Sequence, residues 1–161
     1  MEDNTFFIEK TSFLSEKVLS GSDKGDGMTD TAIIYSSFMG KTRKIAKYIA
    51  DRLNADIFDL KVQSNIDISG YSRIILGTGV HAGRPYARVT KFIEDNRSEL
   101  NDKEVVLFIS CLYDGDKAAN QCSEITMEYQ LSNSVYFSTR GQKNDAGLSK
   151  DVDVFIERMK S

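Results

Sequence analysis

The sequence predicts an α/β three-layer sandwich built on a parallel sheet. Five short apolar, β-branched runs recur along the chain, and stretches with helical apolar spacing lie between them. The length, 161 residues, fits one domain with a sizeable core, and no run of 18 apolar residues exists to span a membrane. No repeats and no second domain are expected.

Taken in order, TAIIYSS (31–37) reads as a buried parallel strand. In the helix after it, up to Leu53, Ile45, Ala46, Ile49, Ala50 and Leu53 form one stripe, with Lys44, Lys47, Asp51 and Arg52 outside it. ADIFDLK (55–61) and RIILGTGV (73–80) are the second and third strands, and VQSNIDISGY between them is too short for much helix. YARVTKFIEDNRSEL (86–100) is a helix with Val89, Phe92, Ile93 and Leu100 inward. Pro85 suits its first turn, where a missing N–H costs nothing. KEVVLFISC (103–111), the most apolar strand, is expected at the centre of the sheet. A helix over 116–132, a fifth strand SVYFSTRG (134–141) and a closing helix KDVDVFIERMK (150–160) complete the pattern.

Ahead of this lies a different kind of sequence. Residues 5–19 space Phe6, Phe7, Phe13, Leu14 and Val18 roughly as a helix would, and SGSDKGDG (20–27) reads as a flexible linker. The expected organisation is an N-terminal extension or tag with a linker over 1–27 and the domain over 28–161. Six acids against Lys10, Lys17 and Lys24 in residues 1–27 account for the whole net charge of −3, so the body is neutral. A neutral body gives no electrostatic case for nucleic acid as partner. The acidic start lacks the basic and apolar blocks of a secretory leader. Cys111 and Cys122 have no metal-site spacing and His81 is the single histidine, so no metal centre is expected and a reducing cytoplasm is the expected compartment.

The junction between the first strand and first helix, SSFMGKT (36–42), ends in Gly40-Lys41-Thr42 like a triphosphate-binding loop. That loop needs a glycine five residues before Gly40, where this chain has Tyr35 inside the strand. The triphosphate reading therefore fails. What remains is S-S-x-x-G-x-T: hydroxyls at Ser36 and Ser37, Gly40, and Thr42 at the positive end of a helix, a set suited to one phosphate monoester. The alternative role for these residues is helix capping. Ligands of open parallel sheets bind beyond the carboxyl ends of the strands, so the loops after the third and fourth strands should hold the rest of the molecule. GTGVHAGRPYA (77–87) offers Gly77, Gly79 and Gly83 for close approach or positive φ, and SCLYDGDK (110–117) offers Tyr113 as a flat aromatic. A planar heteroaromatic between those loops, tethered by one phosphate, is what FMN requires.

With these motifs in this order, the chain resembles the flavodoxin superfamily. YSRIILGTGVHAGRPYARVTKFIEDNRSELNDKEVVLFISCLYDGDKA is similar to the branch that holds the menaquinone-dependent protoporphyrinogen oxidases. The resemblance implies a five-stranded sheet of order 2-1-3-4-5, FMN as cofactor, and electron transfer with a redox partner protein or a small reduced substrate. It implies a phosphate site of Ser36, Ser37, Gly40, Lys41 and Thr42, with Phe38 and Met39 in the same loop. It places Thr78, Gly79, Val80, His81, Ala82 and Gly83 on one side of the flavin ring, and Cys111, Leu112, Tyr113 and Asp114 on the other. No residue is expected to be catalytic in its own right. Oxidase members carry a basic, apolar insertion before the last helix. Only GQKNDAGLS stands there in this chain, which counts against quinone coupling. The rival readings are a protoporphyrinogen oxidase-like enzyme and a cofactor-free interaction domain on the same fold.

Overall fold

The computed structural model describes residues 29–161, and the expectations for residues 1–27 lie outside them. Strands β1 (Thr31–Tyr35), β2 (Asp56–Asp59), β3 (Arg73–His81), β5 (Glu104–Cys111) and β6 (Ser134–Ser138) form a parallel sheet in the order β2-β1-β3-β5-β6. A two-residue strand, β4 (Arg84–Pro85), runs antiparallel to the end of β3. Apart from this extra hairpin strand, the order is the expected one. The most apolar strand, β5, is interior, while β3 holds the middle of the sheet.

Alternation along the strands splits the core in two. Ala32, Ile34, Ile74, Leu76, Leu107 and Ile109 face one way and pack against helices α2 (Ala87–Asp95), α3 (Arg97–Leu100) and α4 (Gly115–Glu128). Ile33, Tyr35, Ile75, Val106 and Phe108 face the other way, against α1 (Lys41–Leu53) and α5 (Lys150–Lys160). Both faces are covered, which is why the strands read as continuous apolar runs. At the amino end of the sheet, Arg73 reaches Glu104 at 2.9 Å and the Met159 carbonyl at 2.9 Å, tying β3 to β5 and to the last turn of α5.

Two expectations are corrected here. The single helix over 86–100 is broken at Asn96, whose φ of −116° leaves the helical region; its side chain donates to the Phe92 carbonyl and closes α2. Pro85 lies in β4 opposite Val80 rather than in a helix turn. The sequence HAGR folds as a two-residue hairpin with positive φ at both Ala82 and Gly83, and a proline without an N–H is tolerated on such a short edge strand.

The loop between β6 and α5 is pinned to α1 by a polar cluster. The Tyr48 hydroxyl donates to Asp153 at 2.6 Å, Asn144 donates to the other Asp153 oxygen at 3.1 Å, and Arg52 lies over the Tyr48 ring at 3.6 Å. The Tyr48 bond, then Asn144 and Arg52, hold the Asp153 carboxyl below the ordinary carboxylate range against a smaller opposing effect of burial. A depressed folded-state pKa stabilises the protein above the unfolded value near 4 and is lost as pH falls through the folded one. Tyr48→Phe is therefore expected to cost about 0.5–1 kcal/mol at neutral pH, the low end for a half-exposed charged hydrogen bond. Urea denaturation across pH should show that difference shrinking below about pH 4.

Candidate functional site

All five parallel strands end on one side of the sheet, and chain direction across the sheet reverses between β1 and β3. The crevice at that reversal is where open α/β sheets bind ligands. The Ser36 amide donates to the Gly77 carbonyl at 3.2 Å, the last link between β1 and β3, and the Leu60 amide donates to the Tyr35 carbonyl at 2.8 Å on the β2 side. Beyond these bonds the chain turns away into α1.

The turn is shaped by Gly40, whose φ of +97° favours glycine and whose missing Cβ would meet no atom within 4 Å. Backbone conformation, not crowding, thus selects this glycine. Its amide donates to the Ser37 hydroxyl oxygen at 3.0 Å, its carbonyl accepts from the Lys44 amide at 3.0 Å, and Lys61 Nζ donates to the Ser37 carbonyl at 3.2 Å. Among the described residues, the amides of Phe38, Met39, Lys41, Thr42 and Arg43 donate to no protein acceptor. Ser36 and Thr42 are 4% and 2% exposed, and among the described residues their hydroxyls have no protein partner either. Capping does not use them: α1 is capped by Gly40, with no side-chain bond. A loop with free amides, two orphaned buried hydroxyls and the positive end of a 13-residue helix fits one bound phosphate.

The other expected residues fall into two groups. Residues 78–83 lie beside the 36–42 loop: His81 is exposed, with its ring 6.5 Å from that of Phe38. Thr78 is fully buried, and its hydroxyl donates to the Gly79 carbonyl at 2.8 Å and accepts from the Tyr86 amide at 3.0 Å, so its side chain serves the hairpin. Gly77 and Gly79 do not adopt positive φ. A Cβ at Gly77 would overlap the Phe108 ring and one at Gly79 the Tyr86 hydroxyl, so the close approach expected for a ligand is made by the protein's own aromatic rings.

Cys111, Leu112, Tyr113 and Asp114 lie at the end of β5. Burial pushes the Cys111 thiol up, and its S–H donates to the Tyr113 carbonyl at 3.4 Å, leaving a packed, protonated thiol. Cys111 and Cys122 are both buried and free. Lys117 stands over one face of the Tyr113 ring at 4.1 Å. Leu112 is exposed, and Asp114 precedes α4 without capping it through its side chain.

Ser110 went unnoticed in the sequence. Ser110 is buried, its hydroxyl also has no protein partner among the described residues, and it stands in register with Gly79 on the face that carries Val106 and Phe108. The signal was present: a serine occupies an inward position of an otherwise apolar strand.

The flavodoxin domain family matches residues 32–149, and the chain belongs to that family. An uncharacterized protein of Methanocaldococcus jannaschii is 40% identical over 75 residues, 46% of this chain and 49% of that protein, so the match spans about half the length of this curated relative. Among solved structures, a flavodoxin, WrbA-like protein from Agrobacterium tumefaciens superposes with TM-score 0.59 at 16% identity, over 81% of this chain and 94% of that one. Oxidised flavodoxin 1 from Bacillus cereus gives 0.56 at 20% identity, over 80% and 92%. A flavoprotein in complex with FMN from Lactobacillus acidophilus gives 0.53 at 17% identity, over 67% and 93%. At these identities the structural likeness is one of fold.

Gly40→Ala is expected to destabilise the protein by about 1–2 kcal/mol, the cost of a positive φ for a residue with a Cβ. Chemical denaturation measures it. A loss well under this range would mean that the loop readily takes another shape.

Proposed function

We propose that the protein is an FMN-binding redox protein. The phosphate of the cofactor would lie in the 36–42 loop, and its ring between residues 78–83 and the segment Cys111–Asp114. The observation that carries this reading is the pair of buried hydroxyls without protein partners, Ser36 and Thr42, set among free backbone amides at the start of α1. Family membership supports it, as does the shared fold of an FMN-complexed flavoprotein.

Each residue then has a definite task. Ser36 and Thr42 donate their hydroxyl protons to phosphate oxygens, and the amides of the loop and first helical turn add charge-assisted bonds. Ser37 holds the Gly40 amide and keeps its own proton to donate. Lys41 acts through its backbone N–H while its side chain stays in solvent. The β3–β4 hairpin and Tyr113 shield the ring from water, and Ser110 adds a hydroxyl to the polar lining. When bound, the flavin supplies reversible uptake of one or two electrons; the protein's part is binding, orientation and access.

The partner would be a redox protein or a small reduced substrate, meeting the exposed Phe38 and Met39, which are 70% and 78% accessible. Electron transfer is preferred to a protoporphyrinogen oxidase-like reaction because a short loop held by Asn144 joins β6 to α5, with no added apolar element there. No helix among the described residues is long and apolar enough to cross a membrane. The proposed domain covers residues 28–161, preceded by an extension, and the proposed compartment is the cytoplasm, where both free thiols stay reduced.

Purified protein mixed with FMN should acquire the flavin absorption bands and quench flavin fluorescence, and a reductive titration should bleach those bands. Protein that stays colourless at saturating FMN sinks the proposal. Thr42→Val and Ser36→Ala should each weaken FMN by about tenfold, one charged hydrogen bond, while leaving riboflavin, which lacks the phosphate, unaffected. Equal losses for both ligands would assign these hydroxyls to the loop's structure instead.

A further inference from the structure

Beside the phosphate loop lies a cavity of about 990 Å³, bounded by that loop, Lys61, the β3–β4 hairpin and α2. It borders Ser36, Ser37, Phe38 and His81, but none of Cys111, Leu112, Tyr113 or Asp114. The cavity therefore extends toward β2 and α2, away from the segment proposed to cover the far side of the flavin ring. Its size is that of a small-molecule site.

The wall has two chemical characters. Phe38, Pro85 and Tyr86 supply flat, apolar surface. The Tyr86 hydroxyl has no hydrogen-bond partner among the described residues, and burial raises its pKa. Lys61, Arg84 and Arg88 supply positive charge. Two of these cations are engaged: Lys61 holds the Ser37 carbonyl, and Arg84 reaches Glu128 at 3.2 Å. Arg88 has no carboxylate partner among the described residues and sits in the first turn of α2, where the helix end adds further positive potential. The acids that border the cavity, Glu94 and Asp95, lie at the other end of α2, about 10 Å along its axis at 1.5 Å per residue, and Asp95 is paired with Lys91.

We propose that this cavity binds an aromatic carboxylate: a flat apolar ring system against Phe38, Pro85 and Tyr86, with its anionic group on the Arg88 guanidinium. A neutral ring would fill the apolar wall but leave the Arg88 guanidinium without a counter-charge. A small inorganic anion would satisfy the cations and leave the apolar wall wet. Guanidinium and carboxylate meet through parallel N–H···O bonds, which gives the site orientation as well as affinity. Under the FMN reading this occupant is the small molecule that meets the flavin, and the proposal rests on that reading for the occupant's role but not for its binding.

The test is calorimetric titration of 2-naphthoate and its neutral analogue 2-naphthamide into the full chain, with and without FMN, whose loading is read separately by absorbance. One molecule of 2-naphthoate should bind per chain, about tenfold more tightly than the amide, without releasing FMN. Arg88→Gln should abolish that preference and leave the amide's affinity unchanged, whereas Tyr86→Ala should weaken both ligands. The proposal is overturned if neither ligand binds saturably, if both bind equally, if Arg88→Gln changes nothing, or if 2-naphthoate expels FMN, which would make the cavity the flavin's own seat. Protein that takes up no FMN refutes the flavin reading alone, because the titration without FMN still decides the cavity.

Discussion

The chain leaves β1 held on both flanks, with Leu60 donating to the Tyr35 carbonyl on one side and Ser36 donating to the Gly77 carbonyl on the other. Those bonds end the pairing of β1 at the point where chain direction across the sheet reverses, and the rest of the site depends on how the chain departs from them. It must reach the first turn of α1 within a few residues. It does so through a positive φ at Gly40 that directs its amide to Ser37 and its carbonyl to Lys44. The neighbouring amides are left unpaired by this geometry, and the helix adds its positive end. A turn with free amides at a helix start is thus a by-product of ending an interior strand and starting a helix in little chain.

The same end of the sheet sorts its hydroxyls by use. That of Thr78 is fully engaged in the hairpin, and that of Ser37 accepts from the Gly40 amide and holds the loop. Those of Ser36, Thr42 and Ser110, all buried residues, have no protein partner among the described residues. Each such group costs about 1–3 kcal/mol when left without a partner. A ligand that accepts their bonds removes the cost, so binding and stability are linked through these side chains. This distribution of bonds, more than the presence of serine and threonine, separates a ligand site from a capped helix.

Much of the fold was legible because apolar periodicity is a local property. The β-branched runs at 31–35, 73–81 and 104–111 and the stripe of Ile45, Ala46, Ile49 and Ala50 each announce their element without reference to the rest of the chain. Where reading failed, a distant partner decided. Glycines in GTG suggest room for a ligand, but Gly77 makes room for the Phe108 ring of the neighbouring strand and Gly79 for Tyr86. Pro85 suggests a helix start, but the paired positive φ of Ala82 and Gly83 turns HAGR into a hairpin first. Ser110 is an ordinary strand residue until the packing around its hydroxyl leaves it without a partner.

By itself the sequence determined the layers, the direction of the sheet and the turn from strand to helix over residues 36–42, because each depends on spacing within a few residues of chain. Only the tertiary structure decided which hydroxyls stay free and which are spent, that Lys117 covers one face of Tyr113, and that Arg88, Tyr86 and Phe38 border one cavity. Those facts depend on side chains from separate strands and helices meeting at one end of the sheet. No local period encodes such meetings, because they are set by how the two layers of helices close over the strand ends.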